Sequence, residues 1–143
     1  MVDYDKTFLG IDYGERRIGL AKSDPTGLIA SALKTLEVSS IENAVAQIKI
    51  EIDEYEPNGI VVGYPLLPSG DRSEKCDVVD AFIEQLKKIY SGPIHKEDEI
   101  YSSGEAEKVI HAHGKRLGKD KKRIDRLAAV IILQRFLDDN FTS

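Results

Sequence analysis

Leu9-Gly10-Ile11-Asp12-Tyr13-Gly14-Glu15-Arg16-Arg17-Ile18-Gly19-Leu20-Ala21 is the stretch on which the fold turns. Residues 7–12 form a short apolar run that ends in an acid and a Tyr-Gly turn, the pattern of a central strand. Residues 17–23 alternate Ile18 and Leu20 with small or polar residues, as a second strand would. Only four residues, 13–16, join the two, and Gly14 supplies the backbone freedom of a tight turn. Asp24-Pro25-Thr26-Gly27 is a further turn signal, and residues 28–38 read as a third strand. Three strands with short connections make an antiparallel meander.

Beyond the meander the pattern changes period. Ser39 or Ser40 can cap a helix running to about residue 55, with Ile41, Val45, Ile48 and Ile52 on one face, and Pro57-Asn58-Gly59 stops it. Gly59 to Tyr64 is a continuous apolar run, as in a strand covered on both faces. A loop over 65–71 leads to a helix over 73–90, a weakly hydrophobic strand over 94–99, a short helix over 103–112 and a last helix over 123–139. The order βββαβαβαα requires crossover connections in its second half, hence parallel strands beside the meander. The expected architecture is α/β: a mixed five-stranded sheet flanked by helices, in one domain spanning residues 1–143.

Bulk properties narrow the function. Of 143 residues, 41% are hydrophobic and 31% charged, an ordinary globular balance. No apolar run approaches the ~20 residues needed to cross a bilayer. The polar N-terminus does not read as a secretory signal, and the single cysteine, Cys76, allows no intrachain disulfide; a cytoplasmic location is expected. The net charge of −5 hides an asymmetry. Residues 115–126, KRLGKDKKRIDR, hold seven basic and two acidic side chains, so a net charge of +5 stands on an otherwise acidic chain. That suits a polyanion contacting one face, although a solvated helix entry would give the same run.

Three acidic positions fall at element ends. Asp12 closes the first strand, where α/β sheets bind ligands, and an Asp that merely starts the turn is the plain alternative. Glu97-Asp98-Glu99 crowds the end of the fifth strand with carboxylates, which repel one another unless a cation or protons neutralise them; an exposed acidic loop is the alternative. Asp125 lies near the start of the last helix, where the helix dipole alone would favour an acid. Lys121, Lys122 and Arg123 stand beside it. Oxygen donors from three elements are what Mg²⁺ or Mn²⁺ needs. Two such ions about 4 Å apart serve phosphodiester hydrolysis without a His or Cys nucleophile. His111 and His113 are two residues apart where a helix is expected, so they point in different directions and make a poor zinc pair, and the chain has neither a Walker A loop nor a Gly-x-Ser-x-Gly elbow.

Together these blocks resemble the YqgF (RuvX-like) family. The resemblance rests on residues 9–21 with Ser23-Asp24 and on Ile60-Val61-Val62-Gly63-Tyr64-Pro65-Leu66 with Gly70 and Ser73. It continues through Asp98-Glu99-Ile100-Tyr101-Ser102-Ser103 with Glu105-Ala106, and Lys121-Lys122-Arg123-Ile124-Asp125-Arg126-Leu127-Ala128-Ala129 with Ile132-Leu133-Gln134 and Leu137. It implies an RNase H-like fold and a nuclease. Asp12, Glu99 and Asp125 would be its catalytic, metal-binding acids, with Asp98 a substitute or helper. Arg16, Arg17, Lys121, Lys122 and Arg123 would meet the nucleic-acid backbone. Members are linked to trimming the 5′ end of 16S rRNA precursors and to Holliday-junction resolution. The RNA role is favoured here, with branched DNA the alternative substrate. Ser102 replaces a common threonine but keeps the hydroxyl, whereas Ile100 replaces a usual arginine, which with the acidic balance of the chain leaves open a binding module without turnover. A third reading, an ATP-handling relative of actin and the sugar kinases, shares the Ile-Asp-x-Gly opening but needs a second lobe. The chain would act as a monomer or homodimer; a two-fold symmetric junction would favour the dimer.

Overall fold

The computed structural model describes residues 6–98 and 121–141. The elements are β1 (Phe8–Asp12), β2 (Arg17–Ser23), β3 (Ala30–Glu37), α1 (Ile41–Tyr55), β4 (Gly59–Tyr64), α2 (Glu74–Leu86), β5 (Ile94–Asp98) and α3 (Lys121–Phe141). The expected strand end at Glu99 and the helix over 103–112 lie outside the described residues. The sheet order is β3-β2-β1-β4-β5. β2 pairs antiparallel with β1 and β3, whereas β4 is parallel to β1 and β5. This is the expected meander joined to parallel strands, with β1 at the centre.

Strand alternation divides the core in two. Leu9, Ile11, Ile18, Leu20, Ile60 and Val62 face α1 and α2, where they meet Ile48, Ile52, Phe82 and Leu86. The intervening residues Phe8, Ala21 and Val61 face α3 through Ala129, Ile132, Leu133, Phe136 and Leu137. β4 is therefore apolar at every position because both of its faces are covered. The α3 side of β1 and β2 is paved with small residues. A Cβ on Gly10 would lie 2.8 Å from the Leu133 Cβ, so the helix rides directly on the strand backbone there. β5 is polar yet forms as expected, since it is an edge strand held by side-chain contacts. His95 packs its ring 4.7 Å from that of Phe136, and Lys96 pairs with Asp80 at 3.0 Å.

Three boundaries differ from the sequence reading. Leu28 and Ile29 belong to the turn before β3, because Asp24 Oδ1 accepts from both of their amides at 2.9 and 2.8 Å. α2 ends at Leu86 rather than residue 90, its last residues turning on bonds such as Tyr90 N–H to the Leu86 carbonyl at 3.0 Å. α3 begins no later than Lys121, so Lys121 and Lys122, expected just before the helix, are part of it. On α1, Ser40 is the N-cap, accepting from the Asn43 amide at 3.0 Å. The buried face of that helix includes Glu51, whose charge is met by Lys34 at 2.7 Å. No helix among the described residues is long and apolar enough to cross a membrane.

The Asp24 turn carries a pH signature. Partial burial pushes its carboxyl up, but bonds from the Thr26 hydroxyl and the Ile29, Leu28 and Thr26 amides outweigh it and hold the group at about 2, below its ordinary 3.8. A depressed carboxyl contributes stability that is present above its unfolded pKa and lost as pH falls through the folded one. The melting-temperature gap between the wild type and Asp24→Ala should be constant above about pH 4 and shrink between pH 4 and 2. Melts across pH 2–6 measure it, and a gap that stays constant throughout would reject this role for Asp24.

Candidate active site

β1 delivers Asp12 to the carboxyl end of the sheet, beside the turn 13–16. α3 crosses the same end, and its approach depends on Gly19. A Cβ there would lie 1.9 Å from the Asp125 carbonyl oxygen, so only glycine lets the helix backbone meet β2. The result is a cleft of about 420 Å³ lined by Asp12, Tyr13, Gly14, Glu15, Arg16, Arg17, Pro65, Lys75, Val78, Val79 and Asp125. Two residues 113 apart in sequence, Asp12 and Asp125, thus share one opening. Arg16 and Arg17 share it too.

Asp125 is tied to Arg17, whose Nε donates to Oδ2 at 2.8 Å. Their side chains are 19% and 34% exposed, so the pair is half-covered rather than a surface contact. Asp125 is the fifth described residue of α3. The helix dipole acts mainly within the first turn and so does not account for Asp125. Lys121, Lys122 and Arg123, the first described residues of α3, are all exposed. Lys122 is anchored: its Nζ pairs with Glu37 Oε1 at 2.8 Å, and its carbonyl accepts from the Thr35 hydroxyl at 2.7 Å. The Lys122 ammonium holds the Glu37 carboxyl below its ordinary value, and Arg17 adds to the effect.

The strand pleat separates the acids of β5. Gly63 pairs with Glu97 and Tyr64 with Asp98. Lys96 reaches Asp80 on α2, so Asp98, two residues on, takes that same side of the sheet, whereas Glu97 takes the α3 side with Asp12. Continuing the β1–β4 register by one residue puts Asp12, Gly63 and Glu97 in one row with no side chain between the two acids. Burial, with the charge of Asp139, pushes the Glu97 carboxyl up, against the pull of Arg135. Glu99, the third expected acid, lies outside the described residues, as does Ile100. Among the described residues no three His, Cys, Asp or Glu side chains form a metal-binding group.

Sequence reasoning missed two contributors. Lys75 enters the cleft from the first turn of α2, brought there by the β4–α2 crossover, and nothing local in the sequence marks it. Tyr13, read only as part of a turn, stacks on Phe82 with ring centroids 4.3 Å apart. Burial, and then the charges of Glu15 and Glu42, push its phenol above its ordinary 10, so it stays neutral. Across the β4–α2 loop, Arg72 clamps Asp77 and Asp80 at 2.8 and 2.6 Å and so fixes the approach of α2 to the cleft.

Comparison with known proteins agrees with this layout. A family model described as RuvX, Holliday junction resolvase, matches residues 6–139. A protein of Chloroflexus aurantiacus is 40% identical over 134 residues, which cover 94% of this chain and 88% of that protein. One from Mycoplasmopsis synoviae is 37% identical over 131 residues, 91% of this chain and 96% of its own length. Both carry the name "Putative pre-16S rRNA nuclease". Among solved structures, Thermus thermophilus RuvC in complex with a Holliday junction substrate superposes with a TM-score of 0.60 at 14% identity, covering 95% of this chain and 96% of that one. Fowlpox virus resolvase with Holliday junction DNA gives 0.58 at 10% identity, covering 94% and 99%. At such identities the likeness shows the fold, and it is the RNase H-like one that the family resemblance implied.

Proposed function

The chain belongs to the RuvX family, and from that premise we propose that it is a divalent-metal-dependent nuclease that hydrolyses phosphodiester bonds in maturing the 5′ end of 16S rRNA precursors. The observation that carries this is the convergence of Asp12 and Asp125 with Arg16, Arg17 and Lys75 on one cleft. Carboxylates beside cations are what a site needs when phosphate and metal arrive together. The donor set fits Mg²⁺ or Mn²⁺: two hard carboxylates, one of which already accepts a positive charge, the Arg17 guanidinium. Asp12 and Asp125 would hold the ion, with Glu99 as the third ligand. Bound there, the metal supplies Lewis-acid chemistry, polarising the phosphodiester and lowering the pKa of water.

The remaining roles fall to this chain's own side chains. Arg16 and Lys75, which both line the cleft, would grip the phosphates flanking the scissile one. Lys121, Lys122 and Arg123 extend the track along α3. The names of the two relatives favour RNA. The description of the family model favours branched DNA as the second reading.

The deciding assay offers labelled RNA with a precursor 5′ extension and, in parallel, a four-way DNA junction, each with Mn²⁺, Mg²⁺ or EDTA. Cleavage of the RNA, lost in EDTA, is the expected result. Preferential cleavage of the junction would move the substrate to DNA. Binding without any cleavage by folded protein would reject the nuclease in favour of a binding module.

A further inference from the structure

We propose that Arg17 is a built-in counter-ion for the metal site, holding Asp125 until a divalent cation displaces it, so that metal and nucleic acid bind cooperatively. The inference rests on the nuclease reading of the cleft and goes beyond it by coupling the two ligands through one side chain.

The geometry is specific. Arg17 opens β2 and Asp125 lies 108 residues later on α3, yet they meet at 2.8 Å inside the cleft that Asp12 also lines. Without a cation, Asp125 would add a second carboxylate to the opening that holds Asp12, and like charges there disfavour each other. The guanidinium removes that cost. It does so through Nε and a single carboxylate oxygen rather than a two-pronged fork, in a pair still partly open to water. Such a contact is exchangeable. A divalent ion shared by two carboxylates displaces a singly charged group that holds one of them.

The displaced side chain has somewhere to go. Arg17 pairs with Glu37 across the β2–β3 ladder, and Glu37 is itself engaged by Lys122. A released guanidinium therefore stays between the cleft and the basic residues 121–123 of α3, where a phosphate would run. The converse follows by linkage. A phosphate that draws Arg17 away uncovers Asp125, so nucleic acid must tighten metal binding by the factor with which metal tightens nucleic acid.

Mn²⁺ titration calorimetry on the intact chain, without nucleic acid, tests this. Removing the counter-ion in Arg17→Gln should tighten Mn²⁺ binding roughly tenfold, within the range usual for coupled sites. Arg17→Lys, which keeps the charge but not the Nε bond, should fall between the two. A purely structural role predicts the opposite sign, because an unheld Asp125 would bind metal more weakly. In EDTA, Arg17→Gln should also weaken binding of a fluorescein-labelled four-way DNA junction, read by anisotropy. Unchanged or weaker Mn²⁺ binding in both variants, with melting temperatures near wild type, overturns the proposal. If Arg17→Gln unfolds, Arg17→Lys alone decides by the same criterion. Asp125→Asn separates the two readings. Wild-type Mn²⁺ affinity in that variant would reject the metal site itself, and the Arg17 proposal with it.

Discussion

Asp12→Asn should abolish metal-dependent cleavage while leaving nucleic-acid binding nearly intact. Asp12 closes the central strand of the sheet and pairs with Gly19 of β2, while the strand residues before it pair with both β2 and β4. The substitution conserves shape and keeps one oxygen, so the fold has no reason to change. What it removes is a negative charge that a divalent ion requires, in a site where the metal contributes several kcal/mol of transition-state stabilisation. A loss of about 4 kcal/mol corresponds to roughly a thousandfold in rate. Single-turnover cleavage with saturating enzyme isolates that step from binding. The variant's affinity for labelled substrate in EDTA should match wild type, or slightly exceed it because one repulsive charge has gone. Retained cleavage within tenfold of wild type would remove Asp12 from the metal site.

The parts of this site that the sequence discloses are those written locally. Asp12 stands between an apolar strand and a Tyr-Gly turn, and strand, turn and acid are all visible within six residues. The meander is legible for the same reason, since short connections leave few ways to pair. Asp125 could be found but not explained. A helix starting at residue 123 would have made it a first-turn acid stabilised by the dipole, and a start no later than Lys121 removes that account. Leu28 and Ile29 look like strand because they are apolar, but their amides are claimed by a carboxylate four and five residues back. Lys75 and the Arg17–Asp125 pair were illegible. Each depends on a crossover that brings distant segments to one end of the sheet, and no local pattern records such a meeting. The buried Glu51 belongs to the same class, because its partner Lys34 is on another element.

Gly19→Ala should damage fold and site together, through a single methyl group. Gly19 lies in the middle of β2, opposite Asp12 in the β1–β2 register, on the side that faces α3. Its added Cβ would fall 1.9 Å from the Asp125 carbonyl oxygen and 2.4 Å from the carbonyl carbon, and both are backbone atoms of a helix. No side-chain rotation relieves that overlap. Either α3 lifts from the sheet or β2 bows away from it. Lifting opens the packing of Ala129, Ile132 and Leu133 against Ala21 and Val61. Overpacking of this kind costs about 1–3 kcal/mol, and a backbone clash belongs at the upper end. For a chain of this size that is roughly 10 °C in melting temperature. The helix backbone that must move carries Asp125, so the carboxylate shifts away from Arg17 and Asp12, and a misplacement of about 1 Å can cost on the order of a hundredfold in rate. The diagnostic is a loss of cleavage at temperatures where circular dichroism shows the variant still folded. Gly10→Ala is the control. Its Cβ would press 2.8 Å from the Leu133 side chain, farther along α3 from Asp125, so it should lower the melting temperature with a much smaller loss of rate. Equal rate losses in the two variants would mean that helix docking as a whole, rather than the placement of Asp125, limits catalysis.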